Sequence, residues 1–425
     1  MHQLIFGTRF DEFPWSVNNL DLVLENIPSF LICELVYTAN FFICLVHLLY
    51  QKDERVRMQQ GCLFCCALLG GLGNDVIFSF LPLVDNFFHS QAAIMITPRF
   101  PLYIFFYYIS WLYIPTTLLL NTFRNDFKNN HLLLNACFIS LLCAVFYWPW
   151  DVVGAKYIWW TWHTTDNSLM YRNLGVPIAS TLWTVVFCFT WGLLYRINVM
   201  KKKNVLSLYG CIKTVMIIFC FSVPIMMIIM GSMTALTGGV TTPLLLFSVI
   251  GFILFFIFIS LLVFQKKEST STTNEIITKK VDNIYWLYLC VLFHYTYLIL
   301  TIYNFDSMNQ NSTGVHQTFG DCGIEGTDIS GLKRSIYTCN KDIEMAHVYH
   351  SFDNCKNRKQ DNTIIRPSMD NNKWYTVCGK EKSDEWIQHA TLICIASCIT
   401  FFFLLRIGSS SSSNKFNKSD GKKIN

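Results

Sequence analysis

The feature that most constrains this chain is a recurrence of apolar runs, each about twenty residues long and separated by short polar connections. A helix rises about 1.5 Å per residue, so roughly twenty residues cross a hydrocarbon core of about 30 Å. Such runs lie near 28–50, 61–82, 101–121, 131–150, 175–196, 206–230, 243–264, 285–304 and 388–406. They predict an all-α polytopic membrane protein with about nine transmembrane helices. The second run is interrupted by Gly70, Gly71, Gly73, Asn74 and Asp75. Composition points the same way: with 52% hydrophobic and only 14% charged residues, too few charges exist to coat a soluble globule. The net charge of +5 is not gathered into a nucleic-acid-binding face.

The basic residues set the expected orientation, because Lys and Arg are retained in short cytosolic loops. An N-terminus outside the cytosol puts Lys52, Arg55 and Arg57, then Arg124 and Lys128, then Arg196 with Lys201 to Lys203, then Lys266, Lys267, Lys279 and Lys280 in the cytosol. The opposite short connections carry only Arg9, Arg99, Lys156 and Arg172. The resulting plan is an extracytosolic N-terminus (1–27), a core of seven helices (28–265), a cytosolic loop (266–284), an eighth helix (285–304), an extracytosolic domain (305–387), a ninth helix (388–406) and a disordered cytosolic tail (407–425). No cleavable signal peptide is expected, since Asp11, Glu12, Asp21 and Glu25 fall where one would be apolar. The location is an integral membrane of the secretory pathway, plasma membrane or endoplasmic reticulum.

Seventeen cysteines divide by position. Thirteen fall in apolar stretches and read as small buried packing residues. Cys322, Cys339, Cys355 and Cys378 share the polar segment 305–387, which the orientation sends to the oxidising side. Four cysteines allow three pairings, among which sequence does not choose. The sequon at Asn311 in the same segment is an expected glycosylation site.

With sidedness set, most unusual polar residues fall near the outer face. Ionisable groups inside the hydrocarbon cost several kcal/mol unless paired or hydrated, which makes Glu34 and Asp75 site candidates, with structural pairing as the alternative. Asn74 adjoins Asp75, and the connection after it holds Asp85, His89 and Arg99. Asp85 and His89 stand four apart, and His163 and Asp166 three apart, so on helices each pair would share a face. One pair from each connection could form a metal or acid/base site, although neither spacing is that of a zinc or di-iron motif. Trp148, Trp150, Trp159, Trp160 and Trp162 suit a headgroup region. Their interleaving with Asp151, Lys156, His163, Asp166 and Arg172 also suits an aromatic-walled pocket. Segment 85–98 is too short and polar to span, and is expected to lie along the interface or re-enter the membrane.

Asp85-Asn86-Phe87-Phe88-His89-Ser90-Gln91, Thr97-Pro98-Arg99-Phe100-Pro101-Leu102-Tyr103, Trp160-Thr161-Trp162-His163 with Asp166, and Arg172 with Gly175-Val176-Pro177 form a combination of rare residues at set spacing. Over roughly 25–265 it resembles a family of uncharacterised eukaryotic multipass membrane proteins carrying a domain of unknown function. That resemblance implies membrane location and no established activity. Asp151, Trp160, Trp162, Gly175 to Pro177 and Trp183 are also similar to segments of the membrane carotenoid hydratases, with Ser180 where that family tends to have Asn.

The function expected from these residues is binding or processing of a lipid or isoprenoid at an outer-leaflet site, with Asp75, Asp85, His89, Asp151, His163 and Asp166 as acid/base or ligand groups. Glu34, Asn74, Arg99, Lys156, Trp160, Trp162 and Arg172 are the further binding candidates. The sequence names no cofactor. A receptor or transporter is the competing class, although the chain has no DRY-like or NPxxY-like segment and no evident internal repeat. A scaffold that only anchors 305–387 is the third. No GxSxG motif supports a hydrolase.

Overall fold

Backbone amides in hydrocarbon find no water, so a chain crossing it must satisfy them within helices. The computed structural model describes residues 4–5, 8–9, 16–80, 87–122, 132–200, 207–238, 242–267, 281–328, 331–339, 350 and 372–413. Its helices are α1 (Leu20–Asn26), α2 (Pro28–Leu49), α3 (Glu54–Phe80), α4 (Tyr103–Tyr108) running through a π turn (Ile109–Tyr113) into α5 (Ile114–Thr122), α6 (Leu132–Lys156), α7 (Ile178–Met200), α8 (Leu208–Leu236), α9 (Pro243–Lys267), α10 (Tyr285–Asn304) and α11 (Asp384–Ser413). Among the described residues, eight helical segments are long and apolar enough to cross a membrane, as an integral membrane protein requires. The second expected span, α3, is not among the eight counted over the described side chains, where Gln59, Gln60, Asn74 and Asp75 lower its apolarity.

The glycines do not interrupt α3, because they are its points of closest approach. A Cβ on Gly70 would meet Trp191 and Ile218, one on Gly71 would overlap the Tyr108 ring, and one on Gly73 would meet the Phe219 carbonyl. Small residues let backbones approach where lipid supplies no hydrophobic drive, so α3 lies against α4 on one side and along α8 on the other. Polar clasps add direction. His294 Nε2 lies 2.9 Å from the Phe146 carbonyl, which can only accept. The ring therefore carries its proton there, and Nδ1 accepts from Tyr37 at 3.0 Å, while Tyr37 accepts from Tyr297 at 2.9 Å. This chain ties α2, α6 and α10. Cysteines join the packing as expected, with the free thiols of Cys44 and Cys290, and of Cys143 and Cys188, hydrogen-bonded in pairs. Cys65 and Cys220 differ, being exposed on the outside of the bundle.

Small strands lie in the connections. They are β1 (Leu4–Ile5), β2 (Thr8–Arg9), β3 (Ser16–Val17), β4 (Phe87–His89), β5 (Ile94–Thr97), β6 (Phe100–Pro101), β7 (Trp160–Trp162), β8 (Arg172–Asn173), β9 (Val176–Pro177), β10 (Asn311–Phe319), β11 (Glu325–Thr327), β12 (Lys333–Ser335) and β13 (Asn372–Cys378). β3 to β13 gather at one end of the bundle. β3 pairs with β5, and β4 pairs antiparallel with β7. β10 and β13 form a ribbon, with β10 lying against β4 and β7. Thr161 Oγ1 meets His316 Nδ1 at 3.0 Å, and Thr164 N donates to Gln317 at 2.7 Å. At the opposite end Asp282 binds His47 and Gln51, and Val281 N donates to Asn121. α3 thus runs from the Gln51 end to the Phe87 end, a length of about 40 Å for its 27 residues.

Several expectations change. Where it is described, segment 85–98 forms strands, β4 pairing with β7 and β5 with β3 and β6. The last helix continues to Ser413 instead of ending at 406, and 414–425 and most of the 266–284 loop lie outside the described residues. Trp150, Trp159 and Trp160 are buried inside the protein, not set in a lipid-facing belt: Trp150 of α6 stacks on Tyr107, Trp159 packs on Phe30 of α2, and Trp160 of β7 packs on Trp150. Cys322 bonds to Cys339, Cys378 is also in a disulfide, and Cys355 lies outside the described residues. Asn311 is only 4% exposed and directs Nδ2 at Asn26, so the folded ribbon does not offer that atom to solvent.

His294→Ala should lower stability by about 2–4 kcal/mol, from the lost ring stack on Phe146 and the lost hydrogen bonds to the Tyr37 hydroxyl and the Phe146 carbonyl. Thermal unfolding in detergent checks this, and Tyr303→Ala on the exposed face should leave the midpoint unchanged.

Candidate functional site

Beneath the strand layer a cavity of about 550 Å³ opens between α3, α4, α6, α7 and α8. Asn74 and Asp75 of α3 form part of its wall. Tyr107, Tyr108 and Trp111 come from α4 and the π turn, Tyr147 and Trp150 from α6, Ser180 and Trp183 from α7, and Met226, Met227 and Met230 from α8. The roof is Phe87, His89, Arg99 and Trp162, with Ser168, Leu169 and, from the 305–387 segment, Leu332.

Local rules place these groups. Alternate residues of a strand share a face, so Phe87 and His89 of β4 both reach the cavity. Their partners across the ladder are Trp162 and Trp160. The absent Cβ at Gly71 brings Tyr108 close enough to donate to Asp75 Oδ2. The π turn adds a residue per turn, and such bulges recur at functional sites; here it seats Trp111, whose Nε1 donates to the Cys143 carbonyl at 3.1 Å. Tyr107 stacks on Trp150 with ring centres 3.8 Å apart. Behind the wall, Asp151 accepts from Trp160 Nε1 at 3.1 Å and from Ser180 Oγ at 2.8 Å. Gly154 leaves room for the Trp160 ring on the same helix.

Three buried polar atoms in this wall have no hydrogen-bond partner: Asn74 Oδ1, His89 Nδ1 and the Tyr107 hydroxyl. Each of these atoms is fully buried in the protein and not exposed to the cavity, so they sit behind its surface. Burial, aided by the nearby Arg99 charge, pushes the His89 imidazole down to about 3, leaving it neutral at physiological pH.

The structure thus gathers Asn74, Asp75, His89, Arg99 and Trp162 at the cavity, with Asp151 and Trp160 one contact behind. The other candidates serve elsewhere. Both Glu34 carboxylate oxygens lie 3.1 Å from Ala93 N, so Glu34 holds the β5 connection. Lys156 Nζ donates to the Glu381 carbonyl at 2.7 Å and lies over Trp386. Arg172 bonds the carbonyls of Leu169 and His163 and stands over Trp162. Asp85 lies outside the described residues. His89 and the His163–Asp166 pair do not sit on helices: His89 is in β4, and the other pair follows β7. His163 Nδ1 still meets Asp166 at 3.0 Å, and Arg334 completes the group at 3.2 Å, but this is a seam to the β11–β12 hairpin and not part of the cavity. Among the described residues, no three His, Cys, Asp or Glu side chains are gathered to hold a metal. The sequence reading missed Tyr107, Tyr108, Trp111, Tyr147 and the α8 methionines. The available signal was the run of tyrosine hydroxyls inside an otherwise apolar span.

Burial would raise the Asp166 carboxyl, but the His163 hydrogen bond and the Arg334 guanidinium outweigh it and hold the group below its ordinary value. A depressed folded value stabilises above the unfolded value of about 4 and is lost as pH falls through the folded one. Asp166→Asn should therefore flatten the acid limb of the stability profile. Asp166→Ala, which strands Arg334, should cost on the order of 3 kcal/mol. Unfolding midpoints between pH 3 and 7 measure both.

A profile of the family described as a domain of unknown function (DUF7802) matches residues 10–408. No curated protein and no solved structure matches the chain. The matched region includes every cavity-lining residue from Asn74 to Leu332, and the chain belongs to the DUF7802 family.

Proposed function

We propose that this protein is a nine-span membrane protein that binds a lipid or isoprenoid in the cavity beneath its extracytosolic layer. The observation that carries this reading is the cavity itself. It offers about 550 Å³ of partly open space between helices, with aromatic and methionine walls and a few polar residues toward the strand layer. Ligand sites have this composition: apolar surface for area, a small number of placed polar groups for orientation. Methionines of α8 add an adaptable wall, as flexible thioethers fill irregular ligand surfaces.

Orientation rests on charge and redox together. The Gln51 end carries Lys52, Arg55 and Arg57, which belong in the cytosol. The Phe87 end carries the Cys322–Cys339 disulfide, which belongs in an oxidising compartment. Counting α3 as a span places the N-terminus outside and the C-terminus in the cytosol. The hydrogen bond between Asp75 and Tyr108 at the cavity wall favours a second reading, acid–base chemistry on the bound molecule.

Purification of the full chain in native-lipid particles, followed by lipid analysis, tests the binding reading. One lipid species should be enriched over the surrounding bilayer, and Met230→Trp, which fills the cavity, should remove that enrichment. A lipid profile identical for the two proteins and the bilayer would defeat the proposal. For orientation, an epitope inserted within 356–371 should survive protease added to sealed microsomes and be lost only after detergent.

A further inference from the structure

The cavity is partly open, and the side on which it opens tells where its ligand comes from; this step rests on the lipid-binding and orientation readings above. The roof is covered. His89, Trp162 and Leu169 are buried there, no other roof residue is exposed, and β10 lies across β4 and β7 above them. The opposite holds on α8. Among the described residues that line the cavity, the exposed ones are Gly231, Ala235 and Gly238, all in the last turns of α8 or in the turn that ends it. They follow Met227 at helical spacing, so one face of α8 runs from inside the cavity to its lip. A Cβ added at Gly231 or Gly238 would meet nothing within 4 Å, whereas the glycines of α3 abut packed rings, so this lip borders open space.

That space belongs to lipid and not to water. From Thr214 to Gln265 the chain carries no Asp, Glu, Lys, Arg or His, so nothing charged holds the lip or the short connection to α9 in an aqueous layer. Beside the lip Ile228 is 69% exposed and Leu236 88%, and Leu244, just past the connection, is 75% exposed. Large apolar side chains left open in one region mark a membrane-facing surface. About 30 Å of hydrocarbon, counted from Lys213 at about 1.5 Å per residue, reaches about Met233. Residues 231–238 therefore straddle the boundary between acyl chains and head groups on the strand-layer side. A cavity that opens sideways at this depth sets no upper limit on the size of its ligand, because whatever it does not hold stays in the bilayer.

We infer that the cavity is filled from the extracytosolic leaflet, through the gap beside Gly231, Ala235 and Gly238, by a long hydrocarbon chain of a lipid already resident there. The small side chains leave the gap open, Met227 and Met230 line the way in, and the chain lies against Tyr107, Tyr108 and Trp111.

The test reconstitutes the full-length protein in vesicles carrying one of two tracers, a two-chain phosphatidylcholine or a polyprenol, each with a diazirine and an alkyne on its hydrocarbon chain. Neither leaves a bilayer for water during the measurement. Tyr107, Tyr108 and Trp111 are buried, so lipid outside the bundle does not touch them, and irradiation should label them with at least one tracer. Which tracer does so tells an acyl from a prenyl chain. Gly231→Trp and, independently, Ala235→Trp should slow the appearance of that label on the order of tenfold, which corresponds to about 1.4 kcal/mol on the entry barrier. Ile228→Trp puts the same ring on an exposed position that does not line the cavity, and should leave the rate unchanged. Thermal midpoints in detergent identify the variants that fold. Equal rates in wild type and in both lip variants would overturn the inference. So would absence of label from these three residues with either tracer in a protein from which Met230→Trp still removes the co-purifying lipid; lipid binding would then stand and the route would lie elsewhere. If neither tracer reaches them and Met230→Trp leaves the co-purifying lipids unchanged, the inference falls together with the reading it rests on.

Discussion

The pairing of three residues from one connection with three from another organises everything above the helices. Phe87, Phe88 and His89 meet Trp162, Thr161 and Trp160 across one short antiparallel ladder. A two-stranded ribbon of this length is not stable alone, and here it is held from both sides. Below, Trp160 seats in the space left by Gly154 and donates to Asp151. Above, β10 lies across it, and Ser90 bonds both the Ile158 carbonyl and Ser312. The strand layer, the Asp151 knot and the cavity roof therefore form one structure.

Within the bundle the usual driving force is missing, since lipid tails are as apolar as leucine. Close packing and buried hydrogen bonds take its place. Gly70, Gly71 and Gly73 bring α3 against its neighbours, and rings fill the interior: Tyr107 on Trp150, Phe146 on His294, Trp191 on Tyr195. A bundle so closely filled elsewhere leaves its large void beside Asn74, His89 and Tyr107. A lined void forfeits dispersion contacts, and its polar atoms add a desolvation cost.

The strand-end carboxylates show how similar residues acquire different work. Glu34, Asp75, Asp151 and Asp166 are all poorly exposed acids toward the same end. Glu34 accepts from a backbone amide, Asp151 joins Trp160 to Ser180, and Asp166 holds Arg334 of the hairpin. Asp75 alone of the four lines the cavity. Pattern and depth single out such residues, but the partner that explains each comes from a different element.

By itself the sequence determined the helical runs, the segregation of basic residues to one set of connections, and a polar layer at the other end, because hydropathy and charge are summed locally over about twenty residues. It also named several of the cavity's polar and aromatic residues, among them Asn74, Asp75, His89, Arg99, Trp150 and Trp162. Only the tertiary structure decided that Tyr107, Tyr108 and the α8 methionines face them, and that His163 and Asp166 do not. Which face a helix presents depends on contacts such as Gly71 against Tyr108 and on the extra residue of a π turn. Strand partners some seventy residues apart, like Phe88 and Thr161, leave no periodicity in either segment. Those are interactions between elements, and no local pattern contains them.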